Sequence, residues 1–170
     1  MTRVAVIGNA GGGKSTLCRA LSVALGLPYH PIDKLQWQPG WVLTPEPEFN
    51  ARHDVLLGTE SWIIDGFGPW EAVERRFDAA DTIIFVDHPL WIHYWWATKR
   101  QLKSIFRRRP DGPDGCPMLP VTFRLYRMMW LLHRDTRPKL LSALEARRKN
   151  KTVIHIRSPR QLAAFSIAHT

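Results

Sequence analysis

Residues 8 to 16 read Gly8-Asn9-Ala10-Gly11-Gly12-Gly13-Lys14-Ser15-Thr16 and satisfy the spacing G-x-x-x-x-G-K-[ST]. Each residue type has a physical reason to be there. Glycines let backbone N–H groups converge on phosphate oxygens, and a helix that starts at the lysine adds its positive end. Lys14 would then reach the outer phosphates of a nucleoside triphosphate, and the Ser15 hydroxyl would ligate Mg2+. The apolar run Val4-Ala5-Val6-Ile7 before the loop and the helical pattern after it supply the strand, turn and helix that the motif requires. The expected cofactors are ATP and Mg2+, with residues Gly8 to Thr16 around the phosphates. Cys18, on the same helix, reads as a small buried filler.

A magnesium–triphosphate site needs an acidic partner at the end of a neighbouring strand. Two aspartates qualify: Asp65 follows Trp62-Ile63-Ile64, and Asp87 follows Ile83 to Val86. Asp65 is preferred, because Gly66-Phe67-Gly68-Pro69 makes a tight turn that holds it at the strand's carboxyl end, where open α/β sheets bind ligands. Asp87 reads instead as a cap ahead of Pro89-Leu90.

The charge is distributed unevenly. Lysine and arginine number 24 against 15 acids, a net +9, yet residues 1 to 98 hold 7 basic and 11 acidic side chains while 99 to 170 hold 17 and 4. Such a field favours anionic partners. Lys99, Arg100, Lys103, Arg107, Arg108 and Arg109 follow one another without an intervening acid and lead into a Pro/Gly-rich stretch. Arginines closing over phosphates would neutralise charge in phosphoryl transfer and exclude water. Arg124 and Arg127 would approach from the far side. The surplus between Arg134 and Lys151 exceeds what one nucleotide would contact and keeps nucleic acid as an alternative partner, although no helix-turn-helix, zinc finger or RNP-type motif is present.

The elements that must position these groups are legible as alternating patterns. Short β-branched runs at 4–7, 62–64, 82–86 and 152–156 read as strands, and a further short strand near 28–32 would make five. Helical patterns occupy 14–25, 46–58, 89–107, 121–134, 138–149 and 159–168. On the third of these, Trp91, Trp95, Thr98, Leu102 and Ile105 share one face. Strands alternating with helices imply an α/β architecture of three layers, a five-stranded parallel sheet covered on both sides. We read residues 1–170 as a single domain, with an acceptor-side insert at 33–60, Pro-rich and irregular up to residue 47, and a lid loop at 107–120.

Two isolated cysteines exclude a disulfide framework and argue against a CxxC redox or zinc site, and a reducing compartment follows. No His spacing suits a helix-borne metal site. No apolar run reaches the roughly 18 residues of a membrane helix, since His93 interrupts the densest one, Trp91 to Ala97. The expectation is a soluble, cytoplasmic protein without a membrane partner.

Trp62-Ile63-Ile64-Asp65-Gly66-Phe67 resembles the strand-plus-DGF element of adenylate-kinase-type nucleoside monophosphate kinases. With His30-Pro31-Ile32-Asp33, Trp37, Pro39-Gly40-Trp41, Asp81-Thr82-Ile83-Ile84-Phe85, Arg109-Pro110-Asp111 and Arg157-Ser158-Pro159-Arg160, the chain resembles the adenylate-kinase-related topology modulation proteins (FlaR-like) over nearly its whole length. The resemblance implies a P-loop NTPase fold of nucleoside monophosphate kinase type with a helical lid. It also implies a phosphotransferase in which Arg100 stacks on the adenine and Arg107 and Arg109 belong to the lid. The chain departs from the pattern where DGFPR would place an arginine on a monophosphate acceptor, for Gly68-Pro69-Trp70 stands there and no arginine occurs before Arg75. The AMP-gripping segment between 30 and 55 is likewise absent, with Arg52 the remaining charge.

An alcohol acceptor needs a carboxylate to take its proton, whereas a monophosphate needs arginines. Asp33 would serve as that base; it would equally cap the next turn or pair with Lys34 or Arg52. Trp37, Trp41, Trp62 and Trp70 would either stack on a planar group or belong to the core. The expected activity is phosphotransfer from ATP to a nucleotide or small hydroxylated acceptor. The alternatives are a nucleic-acid-binding regulatory NTPase and a nucleotide-binding pseudo-enzyme.

Overall fold

A computed structural model describes residues 1–104, 112–117 and 119–169. Five parallel strands form one sheet: β1 (Arg3–Gly8), β2 (Tyr29–Pro31), β5 (Trp62–Asp65), β6 (Thr82–Val86) and β7 (Thr152–Ile156), in the order β2-β5-β1-β6-β7. The four runs of β-branched residues and the short segment near residues 28–32 are these strands. The register pairs Val6 with Asp65 on one side and Gly8 with Val86 on the other. The phosphate-loop strand is therefore central, and both candidate acids lie at the carboxyl ends of its neighbours.

Alternation along each strand divides the core between two faces. Ala5, Ile7, Ile64, Ile83 and Phe85 face α3 (Glu46–Leu57), α4 (Trp70–Ala79) and α7 (Arg137–Arg147), which contribute Phe49, Phe77, Leu140 and Leu144. Val4, Val6, Ile63, Ile84 and Val86 face α1 (Lys14–Leu25) and α8 (Pro159–Ala168), with Leu17, Cys18 and Leu21 fully or almost fully buried. Cys18 is thus the core filler its position suggests.

The insert after β2 is more ordered than its prolines imply. One helical turn, α2 (Asp33–Gln36), leads into a hairpin of β3 (Trp37–Gln38) and β4 (Val42–Leu43). Helix α4 was not expected. Its buried side is Ala72, Val73, Arg76 and Phe77, spaced as one helical stripe that includes an arginine.

Helix α5 (Leu90–Ser104) corrects the sequence reading of its faces. Trp91, Trp95 and Leu102 are 69%, 55% and 59% exposed, and the inward residues are Ile92, His93, Ala97 and Gln101. Ile105 and the expected extension to residue 107 lie outside the described residues. The cause is the close approach of the phosphate loop: a Cβ on Gly11 would fall 2.4 Å from the His93 carbonyl oxygen and 2.9 Å from the Ala97 nitrogen. His93 and Ala97 meet the loop there, and Trp91, Trp95 and Leu102 lie away from it, where Lys99 lies over the Trp95 ring at 4.7 Å.

The expected break between two helices near Pro138 is instead a widened turn. Helix α6 (Thr122–Leu131) continues through a π-helical turn, Leu132–Thr136, into α7, and the Arg137 N–H reaches the Leu132 carbonyl. The wider turn accommodates a proline that lacks an N–H and would clash with the preceding turn. No helix among the described residues is long and apolar enough to cross a membrane.

Candidate functional site

The loop between β1 and α1 is shaped by glycine where no other residue fits. Gly8 has φ 144°, and a Cβ there would lie 2.1 Å from the Val86 carbonyl oxygen. Gly13, at φ 81°, occupies the N-cap of α1 in the left-handed region. Backbone N–H groups at the start of α1 therefore face a cleft of about 840 Å³ lined by Gly8, residues 10–16, Asp33, Asp65 and Arg100. Lys14 Nζ donates to the Asn9 carbonyl at 2.8 Å.

The Asn9 side chain is engaged in bracing. Its amide donates to the Met129 carbonyl at 2.7 Å and its oxygen accepts from the Ala10 N–H at 2.8 Å, tying the loop to α6. A second brace comes from His93, whose Nδ1 lies 3.0 Å from the Ala10 carbonyl. A carbonyl only accepts, so Nδ1 carries the proton. Burial first, and Lys14 second, lower the pKa of His93 to about 4, so the ring is neutral at pH 7. The sequence had marked His93 only as an interruption of an apolar run.

The structure separates the two candidate acids. Ser15 Oγ donates to Asp65 Oδ2 at 2.9 Å, and Asp65 is 4% exposed. Burial raises its pKa, an effect that Lys14 opposes and Asp33 reinforces. Asp87 is held elsewhere: Arg137 forks onto both its oxygens at 2.7 and 2.9 Å, and His155 Nε2 lies 2.9 Å from Oδ2. It ties α7 and β7 to the end of β6 and does not act as the expected helix cap. Although burial would raise its pKa, the Arg137 and His155 hydrogen bonds hold it below the ordinary carboxylate value.

Asp33 is the first residue of α2, with Ile32 at the N-cap, and it lines the cleft. A methyl group on Gly66 would lie 3.8 Å from Asp33 Oδ1, so this carboxylate sits against the turn that follows Asp65. Arg52 is not its partner, being paired with Glu48 at 2.7 Å. Arg75 bonds Asn50 and Asp54, and Arg76 is buried, its Nη2 donating to the Gly66 and Phe67 carbonyls at 2.8 Å each. None of these three arginines lines the cleft. Hydroxyl and carboxylate oxygens from Ser15 and Asp65, with no cluster of three metal-ligating side chains among the described residues, suit a hard cation that keeps water and phosphate ligands.

Of the tryptophans, Trp37, Trp41 and Trp70 line the cleft, while Trp62 is fully buried in the core. Trp96, Arg19 and a stripe from Val121 through Leu125, Met128 and Leu132 to Lys139 complete walls that the sequence did not indicate. Arg124 lines the cleft and Arg127 does not. Arg107, Arg108 and Arg109 lie outside the described residues, as does the lid loop 107–120 apart from 112–117, 119 and 120. Much of the basic surplus after residue 134 is engaged within the fold. Besides Arg137, Arg147 pairs with Glu74 and Asp78, Arg148 with Glu145, Arg134 with Asp135, and Lys151 donates to the Asp78 and Ala80 carbonyls.

No protein-family profile matches the chain, and no curated protein matches it in sequence. Solved structures do match it in shape. A shikimate kinase from Acinetobacter baumannii in complex with shikimate aligns over 99% of this chain and 90% of its own, with a TM-score of 0.64 at 11% identity. This is the P-loop kinase fold. A gluconokinase from Sinorhizobium meliloti aligns over 98% and 92% at TM-score 0.56 and 16% identity. A sugar kinase from Janibacter aligns over 99% and 94% at 0.50 and 19%. At these identities the likeness to other P-loop kinase folds is one of architecture, and the site must be argued from its own residues.

Proposed function

We propose that the chain is an ATP- and Mg2+-dependent phosphotransferase acting on a hydroxyl group of a small acceptor. The observation that carries this reading is the meeting of Lys14, Ser15, Asp65 and Asp33 in one cleft. The loop N–H groups and Lys14 would hold the β and γ phosphates. Ser15 and Asp65 would hold Mg2+, which when bound neutralises charge on the phosphate oxygens. Asp33 would accept the proton of the acceptor hydroxyl as the new P–O bond forms and the bond to ADP breaks. Arg100 lines the cleft where, by the nucleotide-kinase resemblance, it would stack on the adenine. Arg107 and Arg109 would close the lid.

A hydroxyl acceptor is favoured over a monophosphate because Asp33 lines the cleft while Arg52, Arg75 and Arg76, the arginines nearest in sequence to a monophosphate grip, are engaged away from it, which leaves Arg19, Arg100 and Arg124 as the arginines on its walls. The names of the shikimate kinase, gluconokinase and sugar kinase that share the fold point the same way. The topology modulation resemblance rests on the sequence elements alone. A nucleic-acid role loses part of its motivation, since Arg137, Arg147 and Lys151 are tied to Asp87, Glu74, Asp78 and backbone carbonyls, while Arg134 and Arg148 form exposed pairs with Asp135 and Glu145. ADP release measured across nucleosides, nucleotides, sugars and small alcohols, with Lys14→Ala as control, tests the proposal. Acceptor-stimulated turnover lost in the variant is the expected result, and its absence across the panel would defeat the reading.

A further inference from the structure

Two segments far apart in sequence join at the acceptor end of the cleft. The β3–β4 hairpin turns through Gly40 and Trp41, both at positive φ, 79° and 62°. Residues 112–117 run beside it. The Gly40 N–H donates to the Gly115 carbonyl at 2.9 Å, Trp41 Nε1 donates to the Pro117 carbonyl at 2.8 Å, and Cys116 Sγ donates to the Gln38 carbonyl at 3.2 Å. The approach is close, since a Cβ on Gly115 would fall 2.9 Å from Pro39 Cβ. Trp37 and Trp41 line the cleft from the hairpin, and Val121 and Arg124 line it from the chain that follows residue 117. The hydrogen-bonded bridge connects these two rims, and the edge-on contact of Trp37 with Trp41, 5.5 Å between ring centres, braces it.

Trp41 is the one non-glycine at positive φ among the described residues. A bulky side chain there is unfavourable, and the position suits glycine. The backbone therefore holds an indole where its own preference is for none, and that indole both walls the cleft and reaches across to Pro117. Local strain of this kind collects at ligand-holding positions.

We propose that Trp41, pinned by Pro117, sets the length of acceptor that the cleft admits. It closes the acceptor end, so that a free small molecule enters and the same hydroxyl at the end of a polymer does not. This rests on the phosphotransferase reading above. It adds a specificity-determining residue and a size class for the acceptor.

The test compares phosphorylation of paired acceptors by wild type, Trp41→Gly and Trp41→Phe. The pairs are adenosine with a 5′-hydroxyl decanucleotide and glucose with maltotriose, alongside any acceptor found in the panel and an oligomer of it. Glycine suits φ 62°, so Trp41→Gly removes the ring without backbone strain, and thermal melting verifies its folding. Trp41→Phe keeps a ring but has no N–H for Pro117. Wild type should prefer the free member of a pair by about tenfold or more in kcat/KM. Both variants should reduce that ratio, Trp41→Gly the more. Equal use of free and polymeric acceptors by wild type overturns the inference and leaves phosphotransfer standing, as does an unchanged ratio in folded variants. Absence of transfer to every acceptor overturns the inference together with the reading on which it rests.

Discussion

Ser15 Oγ donates a 2.9 Å hydrogen bond to Asp65 Oδ2 across fifty residues of sequence, joining the first turn of α1 to the carboxyl end of β5. This contact brings a phosphate-loop hydroxyl and a buried carboxylate to one point, where a divalent cation bound to phosphate oxygens would sit. Asp65→Asn and Ser15→Ala should each raise the Mg2+ requirement of turnover by about 10- to 100-fold, the usual effect of removing a residue that ligates or orients a metal. Magnesium titrations of ADP release check it, and a requirement equal to wild type would remove Asp65 from the site. The same loss in Asp87→Asn would contradict the separation of roles drawn here.

Arg76 supports the same corner from beneath. It is 1% exposed, and its guanidinium donates to the carbonyls of Gly66 and Phe67. Arg76→Met leaves both carbonyls without a donor, at about 1 to 3 kcal/mol for each unsatisfied buried group. Denaturant unfolding should show a loss of that order. Unaltered stability would mean that another donor or water takes over.

Acid should weaken the fold through its buried histidines. Burial lowers the pKa of His93 and of His53 to about 4, from the ordinary histidine value of 6.5. Below the unfolded value the unfolded chain takes up protons that the folded chain refuses, so stability falls from pH 6.5 until about pH 4. His93→Asn, which does not titrate and retains an N–H donor, should flatten part of that slope in melts taken between pH 7 and 4. An identical slope in wild type and variant would show that His93 contributes no linked proton.

Asp81 acts at lower pH. Burial opposes its ionisation, but hydrogen bonds from Thr82, from the Arg3 and Thr2 backbone and from the Thr2 hydroxyl outweigh it and depress the pKa to about 2. A depressed carboxylate contributes stability that is full above its unfolded value, near 3.8, and lost as pH falls toward 2. Asp81→Asn should therefore melt below wild type at pH 6, with the gap closing by pH 2. A gap independent of pH would assign the loss to packing.

What the sequence revealed depended on whether the signal was local. The strand, glycine loop and helix at residues 3–25 lie within one stretch, and continuous β-branched runs marked the buried parallel strands. The role of Asp87 was not readable, because Arg137 and His155 are 50 and 68 residues away. The outward aromatic face of α5 was misread because amphipathic reasoning assumes that the large apolar residues point inward, whereas the glycine loop lies against His93 and Ala97 and the Trp91 and Trp95 rings are exposed. His93 belongs to no motif and Asn9, expected at the phosphates as part of the loop motif, occupies one of its unspecified positions, so that their bracing roles emerge only when α5 and α6 are brought against the loop. The charge surplus after residue 134 suggested an external polyanion until its partners Glu74, Asp78 and Asp87 were placed beside it.

Asp33 bears the central claim, because it distinguishes phosphotransfer to a hydroxyl from nucleotide binding alone. The decisive measurement is acceptor-stimulated ADP release by wild type and Asp33→Asn, with ATP affinity determined on both proteins. Loss of a general base should lower kcat/KM by about 10²- to 10⁴-fold while ATP affinity stays within about twofold, a change below 1 kcal/mol. Full turnover in Asp33→Asn, or no acceptor-stimulated release by wild type, would contradict the account.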